Sequence, residues 1–131
     1  MNMVLPDSCV WIEAMRSANS DEAEELVPLV DAMRIVTTGI VITEVLQGVR
    51  DEDAFDETAS YFSELPYIEL TRKMYIVAGK LSVALRSRGV IIPLSDLLVA
   101  SACIEHGIQI YTHDKHFEHI PGLKHWYPRK N

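Results

Sequence analysis

Paired cysteines, glycine-rich phosphate loops and long hydrophobic runs are all missing from this 131-residue chain. The two cysteines, Cys9 and Cys103, form no CxxC pair, so nothing in their spacing points to a thiolate metal site or a disulfide framework. Neither GxxxxGK[ST] nor GxGxxG occurs, so nucleotide-dependent chemistry has no cradle. No stretch approaches the ~20 apolar residues of a membrane span. The opening segment, Met1 to Asp7, carries no basic region followed by a long apolar one, so no secretory signal is expected. A reducing, cytoplasmic location is the expectation. Positive charge is also scarce: 12 Lys and Arg stand against 19 Asp and Glu, a net charge of −7. Nucleic-acid backbones are usually met by Lys and Arg. A nucleic-acid partner therefore requires that part of the acid be gathered where cations neutralise it.

What is present is ordinary globular material, with 48% hydrophobic and 24% charged residues. The length predicts one domain spanning residues 1–131, large enough to bury a core. Met3-Val4-Leu5 reads as a first strand ending at Pro6-Asp7, with Ser8 to Met15 a helix that Asp7 or Ser8 can cap. Ser20-Asp21-Glu22 opens a longer helix. The β-branched Arg34–Thr38 segment reads as a second strand. Ile42, Val45, Leu46 and Val49 then follow helical spacing. A helix from about Asp53 to Ser63 has Phe55, Ala59 and Phe62 on one side, and Tyr67–Leu70 is a third strand. Thr71 can cap a long helix with Tyr75, Ala78, Leu81, Val83 and Leu85 as its apolar face and Gly89 at its end. After a Val90–Ser95 loop, Asp96 opens a nearly all-apolar helix through Ile104, which must be buried and whose Cys103 is a core thiol. Gly107 ends it, Ile108–Tyr111 is a fourth strand, and Lys124–Tyr127 supplies a short edge strand.

Strands alternating with helices imply βαβ units, a mainly parallel central sheet and helices on both faces, an α/β/α sandwich. Sites in such sheets form at the carboxyl ends of strands. Asp7 and Asp114 follow strands there, Asp96 opens a helix at that edge, and Glu44 shares a helical side with Val41 and Gly48. Gly48 would permit close approach of a backbone or ligand. Each acid alone has an ordinary explanation: Asp7, Asp96 and Asp114 as helix caps, Glu44 as a solvated helix residue. Together they point to one pocket. Crowded carboxylates raise each other's pKa, and hard divalent cations relieve that repulsion. Oxygen ligands without thiolate suit Mg²⁺ or Mn²⁺. A pair of such ions roughly 3.5–4 Å apart stabilises both attacking and leaving oxygens of a phosphodiester.

Four segments carry a resemblance: Val4–Ile12 (VLPDSCVWI), Thr43–Gly48 (TEVLQG), Ile92–Ala100 (IPLSDLLVA) and Tyr111–Phe117 (YTHDKHF). In this order they resemble PIN-domain proteins, specifically the VapC-type toxins of toxin–antitoxin pairs. The resemblance implies a PIN-like α/β/α fold and a Mg²⁺-dependent endoribonuclease that cleaves structured RNA. It places Asp7, Glu44, Asp96 and Asp114 on the family's acidic quartet, with Asp114 at the least constant position, and Thr112 on a supporting hydroxyl. Ser8 stands where Thr is more usual, keeping the hydroxyl. Trp11 replaces a smaller aliphatic residue and would narrow a groove for RNA or antitoxin. The implied partners are a VapB-type antitoxin, with a basic side chain set among the acids, and a second copy of the chain in a homodimer.

Other features carry weaker readings. His113 and His116 form an HxxH that fits zinc, but no second pair supports it. A histidine acid–base pair is an alternative that leaves the carboxylates unexplained. Lys73, Lys80, Arg86 and Arg88 read as a solvated helix face, or as a rim that holds phosphate; Lys115 and Arg129-Lys130 are alternatives. Trp126 and Tyr127 read as packing. Two rival functions stand beside the nuclease: a catalytically silent PIN-like binding module, which has no need to keep four acids, and a phosphoryl-accepting domain, which wants adjacent acids in a first loop that here offers only Asp7.

Overall fold

A computed structural model describes residues 2–129; Lys130 of the basic tail pair lies outside the described residues. Five short strands are all parallel: β1 (Val4–Pro6), β2 (Thr37–Thr38), β3 (Tyr67–Ile68), β4 (Gln109–Tyr111) and β5 (Lys124–His125). They form a three-stranded sheet ordered β1-β4-β5 and a two-stranded sheet β2-β3. A parallel bridge between Val4 and Ile35 joins the two, giving the order β3-β2-β1-β4-β5. Six helices cover this sheet: α1 (Ser8–Arg16), α2 (Asp21–Asp31), α3 (Gly39–Leu46), α4 (Glu52–Ser63), α5 (Arg72–Arg86) and α6 (Leu94–His106). The expected α/β/α sandwich with a central parallel sheet is the one observed.

The caps expected from sequence form. The Ser20 hydroxyl accepts from Ala23 N–H at 3.1 Å, and Thr71 accepts from Met74 N–H at 3.4 Å. Gly107 ends α6 at φ +64°, a left-handed conformation that suits glycine. The buried run Leu97, Val99, Ala100, Ser101, Ala102 and Cys103 makes α6 central, packed against α3 and α5. Cys103 is fully buried, and burial pushes its thiol up to about 12.

Several boundaries differ from the sequence reading. The Arg34–Thr38 strand shrinks to Thr37–Thr38, because Ile35 bridges β1 whereas Thr37 and Thr38 pair with β3. The segment changes partner midway, so neither ladder extends. Glu69 and Leu70 are the turn into α5 rather than strand. The buried face of α5 is Met74, Ala78 and Leu85, with Leu81 half-buried; Tyr75 and Val83 are 55% and 62% exposed. Positions 83 and 85 point to opposite sides of a 3.6-residue helix and cannot share one face. On α4 only Phe62 is buried, while Phe55 is 40% exposed. The α6 helix begins two residues early, so Asp96 lies in its first turn and Pro93, not an acid, holds the cap position. Trp126 packs on Tyr111 with ring centroids 4.8 Å apart, but Tyr127 is 66% exposed and stacks on His125 instead.

Candidate active site

The backbone pairing of β1 and β4 continues one step past the strands: Asp7 N–H donates to the Tyr111 carbonyl at 2.8 Å. This sets Asp7 at the carboxyl edge, only 5% exposed. Its Oδ1 accepts from Ser8 N–H at 2.9 Å, capping α1. Its Oδ2 accepts the Thr112 hydroxyl proton at 2.8 Å and lies 3.6 Å from Cys9 Sγ. Thr112 in turn accepts from Asp114 N–H at 3.0 Å. One threonine hydroxyl thus ties the acid after β1 to the acid after β4. Asp114 caps a 3₁₀ turn, Lys115–His119, by accepting from His116 N–H at 2.9 Å. Phe117 anchors that turn in the core with no exposed surface.

Asp96 faces this pair from α6. Burial pushes its carboxyl up to about 6, and the charges of Asp7, Asp114 and Glu44 push in the same direction. Asp96 thus feels the charge of each of the other three acids expected from sequence. Glu44, on α3, is also raised, first by burial and then by Asp7, with the Ser8 side chain working in the opposite direction. Glu44 Oε1 is buried and has no hydrogen-bond partner. A buried, unpartnered carboxylate oxygen near Asp7 and Asp96 is costly unless positive charge joins it. An oxygen donor set of this kind fits a hard divalent cation.

The geometry bears on two further sequence readings. A Cβ placed on Gly48 would meet only the Val45 carbonyl, at 3.7 Å, so among the described residues no other backbone makes a close approach there. The HxxH zinc pair does not form: His113 Nε2 contacts Glu22 Oε2 at 2.7 Å, whereas His116 turns back onto Asp114. The same geometry reveals a residue that the acid pattern passed over. Ligand atoms of Asp96, Asp114 and His116 lie within 4.8 Å of one another. Its sequence signal is the two-residue step from Asp114, which a tight turn folds back on its own cap. Of the basic residues, Lys73 pairs with Glu105 at 3.1 Å, in keeping with a solvated face.

The α/β/α sandwich is the fold that the PIN resemblance implied. The chain matches the PIN domain model over residues 4–123 and belongs to that family. Within it, the relatives are VapC ribonucleases. VapC ribonuclease Mb1587 of Mycobacterium bovis is 27% identical over 122 residues, covering 90% of this chain and 91% of the relative. Ribonuclease VapC2 of Rickettsia felis is 31% identical over 94 residues, covering 68% and 70%. Among solved structures, VapBC2 of Rickettsia felis bound to a promoter DNA fragment superposes with a TM-score of 0.81 at 23% identity, covering 95% of this chain and 97% of that one.

Proposed function

We propose that this chain is a VapC-type toxin, an endoribonuclease that hydrolyses phosphodiester bonds in structured RNA of the tRNA or rRNA class. Mg²⁺, or Mn²⁺ in its place, is held among Asp7, Glu44, Asp96 and Asp114. The observation that carries this reading is the convergence of those four acids, one of them with an unpartnered buried oxygen. The family and its ribonuclease relatives support it.

A divalent cation there supplies charge stabilisation at the scissile phosphate and a water able to attack at neutral pH. The chain's own groups prepare for it. Ser8 and Thr112 fix both oxygens of Asp7, so that carboxylate is oriented before any ligand arrives. Thr112 and the 3₁₀ turn fix Asp114. Asp96, raised to about 6, holds its proton in mild acid and releases it near neutrality, so cation binding strengthens as pH rises through that value.

A VapB-type antitoxin is the proposed silencing partner, acting where the chain is made, in the cytoplasm. An apolar groove of about 370 Å³ between α1, α2 and α4, lined by Trp11, Met15, Leu26, Val27 and Tyr61, supports a protein partner. No helix among the described residues is long and apolar enough to cross a membrane. A homodimer is supported by exposed Tyr75, Ile76 and Val83 on α5, with Ile91 and Leu94 beyond it.

Sequencing RNA ends after brief induction tests the reading. Wild type should generate new ends at defined sites, and Asp7→Asn none. Equal cleavage by both would remove Asp7 from the site, and no cleavage by wild type would leave a binding module.

A further inference from the structure

The acids account for the oxygen donors of the centre; His116 stands among them. Its ring is about half exposed, and its Nδ1 lies 2.9 and 3.1 Å from the two oxygens of Asp114. The turn that brings it there is fixed at its start and at its centre. Asp114 caps it, and Phe117, the next residue, is fully buried. His116 is therefore held at the mouth of the site by the same short element that positions Asp114.

Hard cations such as Mg²⁺ bind oxygen and dehydrate reluctantly. Imidazole nitrogen favours transition metals, with affinity rising from Mn²⁺ along the series towards Cu²⁺. A nitrogen donor beside two carboxylates shifts such a site away from pure Mg²⁺ selectivity. We infer that His116 is a nitrogen ligand of the cation at Asp96 and Asp114, and that it biases this centre towards Mn²⁺ over Mg²⁺. This rests on the reading of the acids as a metal centre. An exposed His116–Asp114 ion pair would otherwise stabilise the chain little and leave cation choice untouched.

The test is pulsed electron paramagnetic resonance on the purified chain with one equivalent of Mn²⁺, beside calorimetric titration with Mn²⁺ and with Mg²⁺. Wild type should show the nitrogen modulation of a directly bound imidazole. His116→Gln should lose it, and His113→Gln, whose imidazole faces Glu22, should keep it. The ratio of Mn²⁺ to Mg²⁺ affinity should fall roughly tenfold in His116→Gln. Bound Mn²⁺ without nitrogen modulation, or modulation that survives His116→Gln, would overturn the assignment while leaving the carboxylate centre standing. Mn²⁺ affinity that is unchanged by Asp96→Asn would instead remove the carboxylate centre and the assignment with it. Circular dichroism of each variant confirms that the fold is retained.

Discussion

The Thr112 hydroxyl gives its proton to Asp7 Oδ2 at 2.8 Å and accepts the Asp114 N–H at 3.0 Å. Asp7 and Asp114, from opposite ends of the sequence, are thereby locked through one oxygen atom. Thr112→Val keeps the shape and removes both bonds. The expected outcome is a loss of about 1–2 kcal/mol in stability and a roughly tenfold weaker cation affinity. Thr112→Ser should restore most of each. Chemical denaturation and calorimetric titration measure the two effects.

Asp96 is raised from its ordinary value near 3.8 to about 6, by burial first and by its acidic neighbours next. A carboxyl whose folded pKa exceeds its unfolded one binds more protons when folded. The chain therefore loses stability as pH rises from about 4 to about 6 and stays lower beyond. Asp96→Asn removes that loss. In chelator at pH 7.5 the variant should be more stable than wild type, on the order of 1–3 kcal/mol. The gain should vanish near pH 4. A melting-temperature series against pH reads this directly, and a constant difference across the range would refute it.

Cation binding to the folded chain alone should raise the melting temperature. At a hundredfold excess over Kd the gain is about 2.7 kcal/mol. It should grow from pH 5 to pH 7.5 as Asp96 gives up its proton. Glu44→Gln should blunt it, since the unpartnered Oε1 then offers no charge. Differential scanning calorimetry with and without MgCl₂ is sufficient.

Phe117 links the core to the site. It is fully buried at the centre of the turn that carries Asp114 and His116. Phe117→Ala should cost about 3–5 kcal/mol. It should also weaken cation binding, although the side chain touches no ligand; Phe117→Leu should recover part of both. Unchanged cation affinity in a folded Phe117→Ala would show that the turn holds its shape without this anchor.

Much of the fold was legible because its signals are local. Ser20, Thr71 and Gly107 announce their helix ends, and the apolar run in α6 announces burial. Tyr75 and Val83 misled because hydrophobicity alone does not say which side of α5 meets α6. The Ile35 partner switch was invisible because it depends on which strands flank the segment. The acids were readable as caps one at a time, and two of them, Asp7 and Asp114, are caps as well as members of the cluster. Strand ends and helix starts suggested one shared pocket, and the family resemblance assigned the four as a quartet. His116 was hidden because its place depends on a turn's curvature, which the HxxH spacing describes only if that stretch is α-helical.

The pairing of β1 with β4 spans nearly the whole chain, from Val4 to Tyr111. Asp7, Glu44 and Asp96 all precede Thr112 and Asp114 in the sequence. Until β4 pairs with β1, Asp7 lacks its threonine partner and nothing ties it to Asp114. The site is therefore assembled by the same long-range pairing that closes the sheet, and it forms only together with the fold.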